Sequence, residues 1–174
     1  KFAIYYDQLL NSSTNIKEFN KVLDQLNILG SKVIFPYFML LLNLYDEGQI
    51  NSDYVVELAN TWESLLFRIR ICHMGTNRLN KIVISLCDIQ KETNSLSQSM
   101  YKFTKATFPD DKVFATNLMH LDIYNQRKHL AKLALMAVEE NRTKETIEFD
   151  DAQIEHIMPQ HLNAAWRLQV EHAD

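Results

Sequence analysis

Toward its C-terminal end the chain reads Ile154-Glu155-His156-Ile157-Met158-Pro159-Gln160, with Trp166 shortly after. A carboxylate and an imidazole here stand side by side as a compact acid/base and metal-ligand unit. The imidazole titrates near neutrality and can take a proton from water, while the carboxylate is a hard oxygen ligand suited to Mg²⁺ or Mn²⁺. That pairing matches what phosphodiester hydrolysis needs. Adjacent residues on a flat strand face opposite sides, so Glu155 and His156 serve one site only where the strand bends or ends. Pro159, which cannot extend a central ladder, supplies such an end. A bare Glu-His pair is ordinarily structural, and it is the whole heptapeptide that shifts the balance toward chemistry.

A second candidate is electrostatic. Between Glu63 and Asp88 the chain carries Arg68, Arg70, Arg78 and Lys81 and no acidic residue. Cations so grouped can contact phosphates and displace counterions, which makes them a candidate DNA-binding face. The ordinary alternative is a solvated face or a set of intramolecular ion pairs. His73 falls on the apolar stripe of its helix and reads as a core histidine. His120 and His129 lack partners at ligand spacing, and His161 and His172 cannot be given ligand roles from spacing. Cys72 and Cys87 have no CxxC or Cys/His spacing and read as reduced core thiols of a reducing compartment.

The elements that must position these groups are mostly helical. The 174 residues include only three Gly and three Pro, well under the roughly 12% combined share of ordinary chains, which disfavours turn-rich β architecture. Apolar residues at 47% and charged residues at 23% suit a buried core rather than intrinsic disorder. Ile16, Phe19, Val22, Leu23, Leu26 and Leu29 recur at helical spacing, and Gly30 stands where that helix ends. The run Ile34 to Leu44, opening at Pro36, is apolar all round and predicts the central, most buried helix. Gly48 closes it, and Asn51 or Ser52 caps the next helix, with Val55, Ala59, Trp62, Leu66, Ile69 and His73 on one stripe. Gly75 ends that helix. Leu79, Ile82, Val83, Leu86 and Cys87 form a further stripe, Pro109-Asp110-Asp111 opens a helix, and a last long helix runs from about Ile123 to Glu140, burying Leu130, Leu133, Ala134, Ala137 and Val138.

After Asn141 the period changes to two, in Thr146 to Phe149 and Gln153 to Ile157, which predicts two short strands or a hairpin. Charge changes as well: residues 1–138 hold 15 Lys and Arg against 13 Asp and Glu, and residues 139–174 hold 3 against 9. Neither part has the concentrated positive charge of a protein that binds nucleic acid through phosphate contacts alone. The fold class expected is mainly α, a helical bundle over 1–141 followed at 142–174 by a short β-hairpin that begins a truncated ββα unit. The longest apolar run, Val33 to Leu44, falls short of the roughly 20 residues that span a bilayer, so no membrane role is expected.

The heptapeptide resembles the Glu-His-Ile-x-Pro-Gln signature that opens the HNH (His-Me finger) nuclease domain of GmrSD-type, modification-dependent restriction endonucleases, usually followed by a Trp like Trp166. The likeness extends upstream. Ile34-Phe35-Pro36 through Asp46-Glu47-Gly48 looks like that family's helical region. Phe67-Arg68-Ile69-Arg70 with Thr76-Asn77-Arg78-Leu79-Asn80-Lys81 looks like its Arg-containing, Thr-Asn-x-Leu-Asn-Lys segment. The resemblance implies a metal-dependent DNA endonuclease of a prokaryotic anti-phage restriction system, cytoplasmic and able to homo-oligomerise, acting on modified phage DNA. It makes His156 the general base and Glu155 the neighbour or ligand of a divalent Mg or Mn ion. The family's second strand with an orienting Asn and its last helical ligand would follow Asp174. Its ParB-like amino-terminal domain, implicated in nucleotide-dependent action, has no counterpart here: the sequence has no Gly-rich phosphate loop and no Asp-Gly-Gln-Gln-Arg-type run. The expectation is therefore the helical middle of a longer protein plus the start of its nuclease, inactive by itself. A reading of another class is a non-catalytic helical interaction or regulatory module with a degenerate terminal motif.

Overall fold

A computed structural model describes residues 1–92, 95, 98–99, 108–143, 161 and 163–171. Every regular element among the described residues is a helix: α1 Phe2–Leu10, α2 Lys17–Leu29, α3 Phe35–Asp46, α4 Ser52–Ile71, α5 Leu79–Glu92, α6 Asp111–His120, α7 Ile123–Gln126, α8 Lys128–Arg142 and α9 Ala164–Glu171. The mainly α expectation holds. The hairpin expected within 146–157 lies outside the described residues. Contacts divide the chain into two compact units, Lys1–Ala131 and Lys132–Asp174, so the division falls within α8, whereas composition changes near 141.

The core of the first unit is built from the apolar stripes of α2, α3 and α4. Phe19, Leu23, Leu26, Tyr37, Phe38, Leu41, Leu58 and Trp62 are fully buried. Phe19 and Phe38 meet edge to face with centroids 5.1 Å apart, which fixes α2 against α3. The long α4 packs on α2, on α3 and on α6, and α3 also packs on α1 and α5. Burying even one large side chain of this set stabilises by about 1.5–3 kcal/mol. α3 thus occupies the expected central position. Tyr37 and Tyr54 bring their hydroxyls into this core and both donate to Gln90 Oε1, at 3.2 and 2.7 Å. Tyr54 and Ser99 hydroxyls lie 3.5 Å apart, so one polar network joins α3, α4, α5 and Ser99. Burial drives the Tyr37 hydroxyl far above its ordinary titration range.

The helix ends follow the expected signals in most places. Gly30 and Gly48 adopt left-handed φ of 69° and receive the chain as it leaves α2 and α3. Asn51 caps α4 by accepting from the Tyr54 N–H at 2.9 Å, and Asp110 caps α6 by accepting from the Lys112 N–H at 2.7 Å. Two expectations need correction. α4 stops at Ile71, and His73, not Gly75, is the left-handed residue, with φ 52°. The Met74 N–H donates to the Ile69 carbonyl and the His73 N–H to the Arg70 carbonyl, so the chain turns out of the helix before the stripe reaches position 73. His73 is exposed, not a core histidine. The long helix expected from Ile123 is broken at Arg127, whose φ of −153° leaves the helical region; the four-residue α7 precedes it and α8 follows. Leu130 and Leu133 are buried as expected, but Val138 is 53% exposed.

In the second unit, Asn163 caps α9 by accepting from the Trp166 N–H at 3.0 Å. Trp166 is half-buried and Leu168 is exposed. Among the described residues no helix is long and apolar enough to cross a membrane.

Candidate functional site

Glu155 and His156 lie outside the described residues, so the site is built here from the basic segment. Arg68 and Arg70 occupy the last turn of α4, where basic side chains complement the negative end of the helix dipole. Their guanidinium groups are used within the chain. Arg68 Nη1 lies 2.6 Å from Asp111 Oδ1 and donates to the Pro109 carbonyl at 3.1 Å. Its guanidinium also sits 4.8 Å from the Phe114 ring centroid and 5.9 Å from that of Phe108. With 22% of its side chain exposed, Arg68 is half-buried, whereas Asp111 at 89% is almost fully exposed. Arg70 Nη2 donates to the Leu29 carbonyl at 3.3 Å, and the Arg70 carbonyl in turn accepts from Arg127 Nη1 at 3.4 Å.

Arg78 and Lys81 are placed differently. Both are exposed, on the turn that leads into α5 and in its first turn, next to exposed Thr76, Asn77 and Asn80. The apolar stripe of α5, Leu79, Ile82, Val83 and Leu86, is buried and turns these polar positions outward. The four cations therefore form two groups: Arg68 and Arg70 bind their own chain, and Arg78 and Lys81 face solvent. The signal for the first group, partners about forty positions distant, is invisible to spacing within the segment.

Cys72 and Cys87 are half-buried and unbridged. Burial pushes the Cys72 thiol up, against the opposing pull of the Arg68 charge, and so disfavours the thiolate. Among the described residues no group of three or more His, Cys, Asp or Glu could hold a metal ion.

Comparison with known families bears on the C-terminal part. Residues 108–174 match the family of GmrSD restriction endonucleases, C-terminal domain. The matched segment contains Glu155 and His156, and this part of the chain is similar to that restriction-endonuclease family. The match starts at Phe108, downstream of the segments around Pro36 and Asn77 that carry the upstream resemblance. No curated protein and no solved structure matches the chain.

Proposed function

We propose that the chain is part of a metal-dependent DNA endonuclease of a prokaryotic restriction system, cytoplasmic and directed at modified phage DNA. The observation that carries this reading is the family match over 108–174, within which the Glu-His pair stands in its signature. His156 takes the proton of the attacking water as general base. Glu155, a hard carboxylate beside an imidazole, suits a divalent Mg or Mn ion, which when bound supplies charge neutralisation at the scissile phosphate. Arg78 and Lys81, exposed and without acidic neighbours in the chain segment, contact the DNA backbone. Arg68 and Arg70 act by holding their own chain.

The test is cleavage of modified and unmodified plasmid by the full-length protein, with Mg²⁺ or Mn²⁺ and with chelator. The reading expects cutting that requires the ion and discriminates between the plasmids. Cutting unaffected by chelator, or none under any condition, removes the endonuclease assignment.

A further inference from the structure

The family match begins at Phe108, and four of the residues Phe108 to Phe114 converge on one side chain of the helical body, that of Arg68. We infer that Arg68 is a positioning residue for cleavage: it clamps the first turn of the family-matched segment onto the C-terminal half of α4. The inference rests on the proposed endonuclease reading.

Four features support the clamp. The first is convergence: one guanidinium reaches a backbone carbonyl (Pro109) and a carboxylate (Asp111) through Nη1 while lying near two aromatic rings (Phe108 and Phe114), a combination of planar face and multiple donors that lysine cannot copy. The second is the weakness of the alternative attachment. α6 buries no residue fully, and its aromatic contact to α4 is Phe67 against Phe114 with centroids 6.1 Å apart. Apolar adhesion of α6 is therefore small, and the polar clamp carries a large share of its docking. The third is reinforcement, since Arg127 donates to the Arg70 carbonyl two residues further along α4, and Leu130 and Ala131 beyond it are buried. The fourth is competition: the Arg68 charge is already matched, so a DNA phosphate would have to displace Asp111 to reach it.

The test uses the full-length protein with Arg68→Gln, Arg68→Lys and Asp111→Asn, read in two ways. In amide hydrogen exchange, Arg68→Gln should speed exchange across residues 111–120 by roughly tenfold and leave α2 and α3 unchanged, with Arg68→Lys between it and wild type. In plasmid cleavage, Arg68→Gln should lower kcat by the same order while DNA affinity and its salt dependence stay at wild-type values. Asp111→Asn alters an exposed side chain, cannot unfold the core, and should give a smaller change in the same direction in both readouts. Unchanged exchange in 111–120 overturns the clamp. Altered exchange with unchanged cleavage overturns the positioning role. Weaker DNA binding with a shallower salt dependence makes Arg68 a phosphate contact instead. If the wild type does not cut DNA, the endonuclease reading fails and the positioning role with it, and the exchange result still decides the clamp by itself.

Discussion

The Tyr5 hydroxyl donates to the Asp46 carboxylate at 2.5 Å, tying the buried face of α1 to the last residue of α3. Burial, and then the nearby Asp46 charge, push the Tyr5 hydroxyl up to about 12. A raised folded-state value means that the unfolded chain loses this proton first. The contribution to stability is complete below about pH 10 and fades as pH rises toward about 12. Allowing for solvent at the Asp46 side, it is on the order of 1 kcal/mol. Tyr5→Phe should cost about that much at pH 7 and flatten the stability profile above pH 10, measured by urea unfolding at stepped pH. An unchanged slope would show that another group carries the alkaline transition.

His73 holds a left-handed backbone conformation that costs an ordinary L-residue about 1 kcal/mol. His73→Gly should raise stability by roughly 0.5–1 kcal/mol, less than the full strain because glycine also loosens the unfolded chain. Gly48→Ala, at φ 69° with open space around the position, should cost a similar amount through strain alone. Thermal melts of the three proteins check the pair of opposite signs.

The buried tyrosine network makes a third expectation. Gln90 accepts from both Tyr37 and Tyr54, so Gln90→Leu removes the acceptor they share, leaves Tyr54 its 3.5 Å contact with Ser99, and should destabilise by about 2–3 kcal/mol, against about 1 kcal/mol for Tyr37→Phe. Denaturant midpoints compare them. Equal losses would mean that Gln90 is not the hub.

Much of the helical body was legible in the sequence because its signals are local. Gly30, Gly48, Asn51 and Asp110 mark helix ends through φ preference or a side chain reaching two or three residues along the chain. The end of α4 is not legible in this way, because the apolar stripe runs on in register to His73 while the hydrogen bonds of Met74 and His73 close the helix earlier. The break at Arg127 carries no glycine or proline to announce it. At the candidate site, Glu155 and His156 are legible as residue types in a signature within the family-matched segment, and the chemistry proposed for them rests on that likeness. The division of labour among the cations is not legible in the sequence, since Arg68 finds its partner Pro109 at a separation of 41 residues.

Arg78 and Lys81 face solvent, so replacing both with alanine should leave the melting temperature within a degree or two and weaken DNA binding. If each neutralises one phosphate, the slope of log affinity against log salt should fall in magnitude by about 1.8 for the double variant. Affinity measured at several salt concentrations reads this directly. An unchanged slope would move the DNA path to another face.

The most direct measurement is plasmid cleavage by the full-length protein with Mg²⁺ or Mn²⁺, comparing wild type with His156→Ala and with His161→Ala as a control at an exposed histidine outside the signature. Loss of a general base should slow cutting by about 10²–10⁴-fold in the first variant and leave the control near wild type. Equal cutting by wild type and His156→Ala would contradict the account.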